Sequence, residues 1–572
     1  MKTIYLFTIT LLFSFSSLAQ IQLGKNIIGD SSCSDGYYES ISLSGNGKTV
    51  AIGVNEHSRY GDIRIYQFQS EKWVQLGKNI IGDSGFHIGE AVSLSEDGKI
   101  VAIEGQATGL SGTSTNLCKV FQYQSDSWIQ LGEDIIGDTQ ISFNNRSNIS
   151  ISSDGSILAL GSYGTLNDSG TTRIFKYQLD KWVQLGNVIG GEAAGDNSGG
   201  SVSLSSNGTV VAIGAPNNNG NGNESGHTRI YQYHLGDWIQ MGKDIDGDTA
   251  TLSGSAVSIS SDGTTVAIGG NNDDNNSSSD HTRIYKYQLG DWIQLGKDIK
   301  GNKGSGAAVS ISSNGNIIAI GTSEWNGPTR IYQFQSGSWV QIGADITGEE
   351  FHFRSGYSVS LSADGSILAL SSRTEGDGRI CTDDVISHTR IYEICELRSI
   401  SSQPQSTTMP VGKTAQFIIN SDYKFHQWQT DVGSGFQNVT NAGQYNGVDN
   451  DTLTVGELSI QNDLQSFRCL VQTEGCKDTS EVAILNVDGA LSVDEIEVAF
   501  NVYPNPATDM LHIVNRSHSG SPSFTVLNPL GQEVLTGNIS GREAAIDVSS
   551  LPKGYYLLNI GEGEYSYRFL VQ

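Results

Sequence analysis

VSISSDGTTVAIG, residues 257–269, is the phrase that decides the fold, because it is one of seven near-copies in the chain. The others are ISLSGNGKTVAIG (41–53), VSLSEDGKIVAIE (92–104), ISISSDGSILALG (149–161), VSLSSNGTVVAIG (202–214), VSISSNGNIIAIG (309–321) and VSLSADGSILALS (359–371). Each runs from a Ser-rich strand through Asn-Gly or Asp-Gly into an apolar strand. That pair readily supplies two positive φ angles, and β-branched residues flank it, so each phrase predicts a tight hairpin. A third strand follows at 64 (RIYQF), 119 (KVFQY), 173 (RIFKY), 229 (RIYQY), 283 (RIYKY), 330 (RIYQF) and 390 (RIYEI). A fourth, of the form W-x-Q-L-G, follows only six of them, with tryptophans at 73, 128, 182, 238, 292 and 339.

Seven four-stranded units spaced 47 to 60 residues apart predict an all-β chain with a seven-bladed β-propeller over 20–397. The seventh unit stops at RIYEICEL without its fourth strand, while IQLG at 21–24 is that strand without a unit. Residues 21–24 are therefore expected to complete blade seven and close the ring. The donated strand then lies at the rim and the Ser-rich strand at the axis. The 1-2 and 3-4 turns share one face, and the variable 2-3 and 4-1 connections share the other, where binding is expected.

Residues 1–19 read as an export signal: Lys2, an apolar run from Ile4 to Phe13, and small residues ending at Ala19. No later apolar run reaches the roughly 18 residues that would span a bilayer. A formal charge of −27 disfavours nucleic acid and anionic membranes as partners. The chain is expected to be a secreted or surface-held monomer. Its six cysteines permit disulfides without fixing their pairing.

The phrase G-x-S-V-S-L-S-x-D-G-x-x-V-A-I-G followed by R-I-Y resembles the FG-GAP-like repeats of bacterial surface proteins and, through them, the propeller of integrin α chains. Ser-Gly mostly replaces the family's Phe-Gly, as at Ser253-Gly254, Ser305-Gly306 and Ser355-Gly356, and no D-x-D-x-D-G calcium motif appears. Residues 398–488, with Trp428 and then Cys469 in a late strand, are similar to immunoglobulin-like modules, although apolar QFII stands where the earlier cysteine would be. After a linker at 489–497, residues 498–572 carry VYPNPATDMLHI, FTVLNPLGQEVLTG, IDVSSLPKGYYLLNI and YSYRFLVQ. Together these resemble the C-terminal sorting domain of the type IX secretion system, which implies that this segment engages that export machinery.

On the variable face, Trp325 stands outside the register of the repeat tryptophans and is an expected ligand anchor. Tyr37, Tyr38, Phe86, His87, Phe351, His352 and Phe353 fall in 4-1 connections, where they either stack on a carbohydrate or protein ligand or plug gaps between blades. Asp273 and Asp274 lie in NNDDNNSSSD, which either binds Ca2+ or is a solvated loop. Cys33 and Cys381, in connections of neighbouring blades, are an expected disulfide, and Cys469 and Cys476 a second. G-x-S-x-G, H-E-x-x-H and clustered Cys/His sets are absent, so the reading is a binding protein without cofactor. The rival is a polysaccharide-active lyase or hydrolase with its site at the propeller axis.

Overall fold

The computed structural model describes residues 20–572 other than 29–38, 55–59, 84–85, 109–113, 142–146, 164–166, 272–279, 302, 325–326, 349–352, 375–387, 432–434, 489–499, 517–521 and 562–564. The chain is nearly all β and divides into two compact units. One runs to residue 406 and adds 416–455 and 465–484, and the other comprises 407–415, 456–464 and 485–572.

In the first unit, the described residues of 20–394 form seven antiparallel sheets, six with their strands in sequence order and the seventh with Gln20–Gln22 as its outer strand. Sheet four is representative: Ser201–Leu204, Val210–Ala215, His227–His234 and Asp237–Gln240. Second strands such as Val210–Ala215 and Thr265–Gly270 are buried at all six positions. Packing between two neighbouring sheets covers both faces, which is why these strands read as continuous apolar runs.

Two hydrogen-bond circuits join the sheets cyclically. In one, the first strand of each sheet donates an N–H to the serine Oγ of the sheet before it: Leu94 to Ser42, Ile151 to Ser93, Leu204 to Ser150, Ile259 to Ser203, Ile311 to Ser258, Leu361 to Ser310, and Leu43 back to Ser360, at 2.9 to 3.1 Å. In the other, backbone N–H groups of Gly45, Glu96, Ser153, Ser206, Ser261, Ser313 and Ala363 each donate to the carbonyl of the next, and Ala363 returns to Gly45. Small serines allow this approach, which explains the Ser-rich phrase.

The hairpin chemistry differs from expectation. In the first turn only the glycine is left-handed, as at Gly47 (φ 68°) and Gly263 (φ 72°), whereas the Asx side chain accepts hydrogen bonds. Asp262 Oδ1 takes the Ser260 hydroxyl at 2.6 Å and the Thr264 N–H at 2.9 Å. The paired positive φ angles occur in the two-residue 3-4 turns, for example Ser70-Glu71 and Leu179-Asp180. Asn46, Asn207 and Asn314 make the same bonds as the aspartates.

Burial alone would push the Asp154, Asp262 and Asp364 carboxyls up, but the hydrogen bonds from the preceding Ser and the following Ser or Thr outweigh it and hold them below the ordinary range. A depressed folded value means stabilisation that is present above the unfolded pKa of about 3.9 and is lost as pH falls through the folded one. Melts below about pH 4 should therefore flatten when the three are changed together to Asn, with little effect at pH 7.

W-x-Q-L-G is a latch between sheets. Each repeat tryptophan donates Nε1–H to the Leu or Met carbonyl of the previous sheet: Trp73 to Leu23, Trp128 to Leu76, Trp182 to Leu131, Trp238 to Leu185, Trp292 to Met241 and Trp339 to Leu295, at 2.7 to 2.8 Å. The glycine that follows lies at φ near 70°, and a Cβ on Gly186 would sit 2.7 Å from the Trp238 ring. These tryptophans are structural. Trp238→Ala, at a side chain 7% exposed, should cost about 3–5 kcal/mol, read as a shifted denaturation midpoint.

The N-terminal segment fills sheet seven. Gln20–Gln22 pairs antiparallel with His388–Ile394, Leu23 donates to the Ile391 carbonyl at 2.8 Å, and Ile27–Ile28 pairs with the same strand. Gln20 stands where other sheets have tryptophan and covers Gly343 of sheet six.

Beyond sheet seven, still in the first unit, Phe425–Asp431 pairs with Gln465–Gln472. Trp428 is fully buried and Phe417 stacks on Phe467 at 4.7 Å, so aromatic rings form the core of this segment. The expected Cys469–Cys476 staple is not formed: Cys476 is bonded to Cys395, and Cys469 is a free, buried thiol. Cys469 lies opposite Trp428 in the ladder, so burial claims it, whereas Cys476 sits in the turn beside Glu393, whose carboxylate accepts the Gly475 N–H at 2.9 Å. Closing 81 residues, the Cys395–Cys476 bond contributes about 4.5 kcal/mol by chain entropy. Cys476→Ser should lower the melting temperature clearly, and a non-reduced peptide map should show the cross-linked pair.

In the second unit, Phe500–Tyr503, Met510–Asn515 and Glu543–Asp547 form one sheet, and Glu533–Asn538, Ser523–Leu527, Gly554–Ile560 and Tyr565–Val571 another. Their core holds Phe500, Leu511, Ile513, Val526, Leu558 and Phe569. The YPNP phrase is structural, since Asn505 Oδ1 accepts the Leu570 N–H at 2.9 Å and so pins the last strand.

Candidate functional site

The two faces of the seven-sheet scaffold differ in one measurable respect. All seven 1-2 turns have the same length, from 44–48 to 362–366, and the 3-4 turns of sheets one to six have two residues each. Between the second and third strands, by contrast, the separation runs from 5 residues in sheet two to 13 in sheet seven. Variation is confined to one face.

Of the residues expected to bind there, Trp325, Tyr37, Tyr38, Phe351 and His352 lie outside the described residues, as do Asp273, Asp274, Cys33 and Cys381. Phe353 opens the first strand of sheet seven, its backbone paired with Thr374. Phe86 is no platform. It is 4% exposed, packed in the core between sheets one and two beneath the Lys119 ammonium, because its strand begins earlier than the repeat suggests. His87 is half-buried and meets the Tyr60 ring edge-on at 5.7 Å, which adds Tyr60 to this face.

Sequence reading missed a set of buried histidines. His227, His281 and His388 each stand two residues before the arginine of R-I-Y and are 1%, 7% and 5% exposed. The phrase H-T-R-I-Y was the available signal. Nδ1 of His227 faces Asp244 Oδ2 at 3.7 Å and Glu192 Oε2 at 3.9 Å. Burial, and then the Arg229 charge, pull its pKa below the ordinary value, against the opposing effect of the carboxylates, which keeps the imidazole neutral at pH 7.

On the other face a pocket is lined by Leu and Ile residues that end the first strands, such as Leu94 and Ile259, and by small residues of the 1-2 turns, such as Ser206 and Ser261, with Glu96 the one acidic side chain among the lining residues. Leu179, Leu235 and Leu289, at the 3-4 turns of sheets three to five, are 93% or more exposed.

Residues 501–571 match the family described as the secretion system C-terminal sorting domain. The chain is thus exported through the type IX system, to be secreted or held on the outer cell surface, and its C-terminal segment interacts with that machinery. No curated protein matches the chain. Among solved structures it is similar to the Kuenenia stuttgartiensis hydrazine synthase (15% identity, 59% of this chain and 92% of that one, TM-score 0.39). Other similar structures are a putative 6-phosphogluconolactonase from Bacteroides uniformis (13%, 58% and 92%, TM-score 0.39) and AofleA from Arthrobotrys oligospora (12%, 57% and 90%, TM-score 0.36). Among the described residues no helix is long and apolar enough to cross a membrane.

Proposed function

We propose that this chain is an exported recognition protein: residues 20–397 form a seven-bladed β-propeller of FG-GAP type, 398–488 an immunoglobulin-like spacer, and 498–572 the sorting domain. The two seven-membered hydrogen-bond circuits support the propeller, and the buried Trp428 opposite Cys469 supports the spacer. The ligand is a carbohydrate or an extracellular protein, taken on the face of 2-3 and 4-1 connections. One observation carries this reading: connection length varies more than twofold on that face and not at all across the 1-2 turns. A repeated frame that varies only in its loops is the architecture of a recognition surface.

Trp325, between Thr322 and Thr329 in the 2-3 connection of sheet six, is the proposed anchor. A glycan array and an extracellular-protein panel probed with the full chain should show binding that Trp325→Ala weakens at least tenfold, with the melting temperature nearly unchanged. Equal binding by the variant would remove Trp325 from the site. Turnover of chromogenic polysaccharides, abolished by Glu96→Gln at the axis, would replace the whole reading with the enzymatic one.

A further inference from the structure

Glu192, His227 and Asp244 come from three separate stretches of sheets three and four, and their ligand atoms lie within 4.8 Å of one another. His227 opens the third strand of sheet four. Asp244 precedes Ile245–Asp246, which pairs back onto that strand, and Glu192 follows Ile189–Gly190 of sheet three. The imidazole side chain is only 2% exposed, and its Nε2 has no hydrogen-bond partner among the described residues. Nδ1 points between the two carboxylates at 3.7 and 3.9 Å, beyond hydrogen-bond range.

Those separations suit a different interaction. Two ligands each about 2.1 Å from a zinc ion, at angles of about 110–135°, stand about 3.4–3.9 Å apart. Both carboxylates are also oriented by outer contacts. Gln240 donates to Asp244 Oδ1 at 2.6 Å and Arg229 faces Glu192 Oε1 at 3.5 Å, leaving Oδ2 and Oε2 aimed at the imidazole. The carboxylates are partly open to solvent, 30% and 48% exposed, which gives an ion a way in and leaves room for water.

The next sheet provides an internal contrast. Asp248, His281 and Asp298 occupy the same three positions, but there the Arg283 fork closes on both carboxylates, with Nε and Nη2 each 3.1 Å from Asp298 and Nη2 also bonded to Asp248. In sheet four Arg229 donates to the Gly190 carbonyl at 2.8 Å and faces Glu192 from its outer side, so no guanidinium fork bridges the two acids.

We propose that Glu192, His227 and Asp244 form a site for a divalent transition ion, best matched by Zn2+, with water completing the coordination. One imidazole nitrogen and two carboxylates are a zinc-type donor set. Ca2+ takes oxygen ligands and would leave the imidazole unused. Glu192 and Asp244 lie in 4-1 connections, on the proposed recognition face, but ion binding by this set does not depend on a ligand being taken there.

The test uses the full chain, stripped with chelator and titrated with Zn2+ by calorimetry, with retained zinc counted after gel filtration in the presence of millimolar Ca2+. One retained zinc per chain and a zinc-dependent rise in melting temperature are expected. His227→Ala and the Glu192→Gln/Asp244→Asn double variant should weaken binding at least a hundredfold, and Gln240→Ala ten- to a hundredfold. Asp298→Asn, in the fork-closed sheet, should leave it unchanged. Should His227→Ala fail to fold, the double variant and Gln240→Ala carry the test. The proposal is overturned if wild type retains no zinc, if calcium displaces it, or if binding consists of several weak sites indifferent to these changes.

Discussion

Removal of residues 20–28 should unfold the seven-sheet scaffold or bring it to the edge of unfolding. Leu23 and Ile27 are 5% and 8% exposed, each worth about 1.5–3 kcal/mol of burial, and the Trp73 indole loses its acceptor, at about 1–3 kcal/mol more. The His388–Ile394 strand also becomes an open edge. A loss on the order of 5 kcal/mol is a large part of ordinary domain stability and far exceeds the effect of trimming an unattached terminus. Chemical denaturation of the intact and shortened chains measures it. A midpoint unchanged in the shortened chain would mean that the segment latches nothing.

The second large effect is on export. A chain ending at residue 497 lacks the whole sorting-domain match at 501–571 and should accumulate in the periplasm of a type IX-competent host, with almost none in the medium or on the surface. The strand pinned by Asn505 suggests a finer version: Asn505→Ala loosens the final strand and should reduce export partially. Full-length levels outside the cell from the truncated chain would separate the match from its function here.

The repeat made much of this legible. Strand order, the buried second strands and the N-terminal strand in sheet seven follow from a period of seven phrases and one displaced fragment, since each phrase must satisfy the same neighbours. Local chemistry was less legible. Asn-Gly and Asp-Gly suggested paired left-handed residues, whereas the side chain at Asp262 serves as an acceptor and only Gly263 is left-handed. Two residues upstream of each arginine, the histidines were visible as letters but not as a cluster, because the partners of His227 come from two other segments, one of them in the preceding sheet. Closeness in sequence pairs Cys476 with Cys469, although Cys395, 81 residues away, is the one the fold brings within 5.4 Å between Cα atoms. The variable connections were the hardest to read, because they differ where the frame repeats.

Cyclic closure can be measured directly by amide hydrogen exchange at Leu43 and Ala363, the two N–H groups whose acceptors, Ser360 Oγ and the Gly45 carbonyl, lie across the junction between sheets one and seven. In a closed ring both should be protected as strongly as their counterparts in each circuit, such as Leu204 and Ser206, and exchange only through global unfolding. Protection of the counterparts with rapid exchange at Leu43 and Ala363 would show an open array and contradict the account.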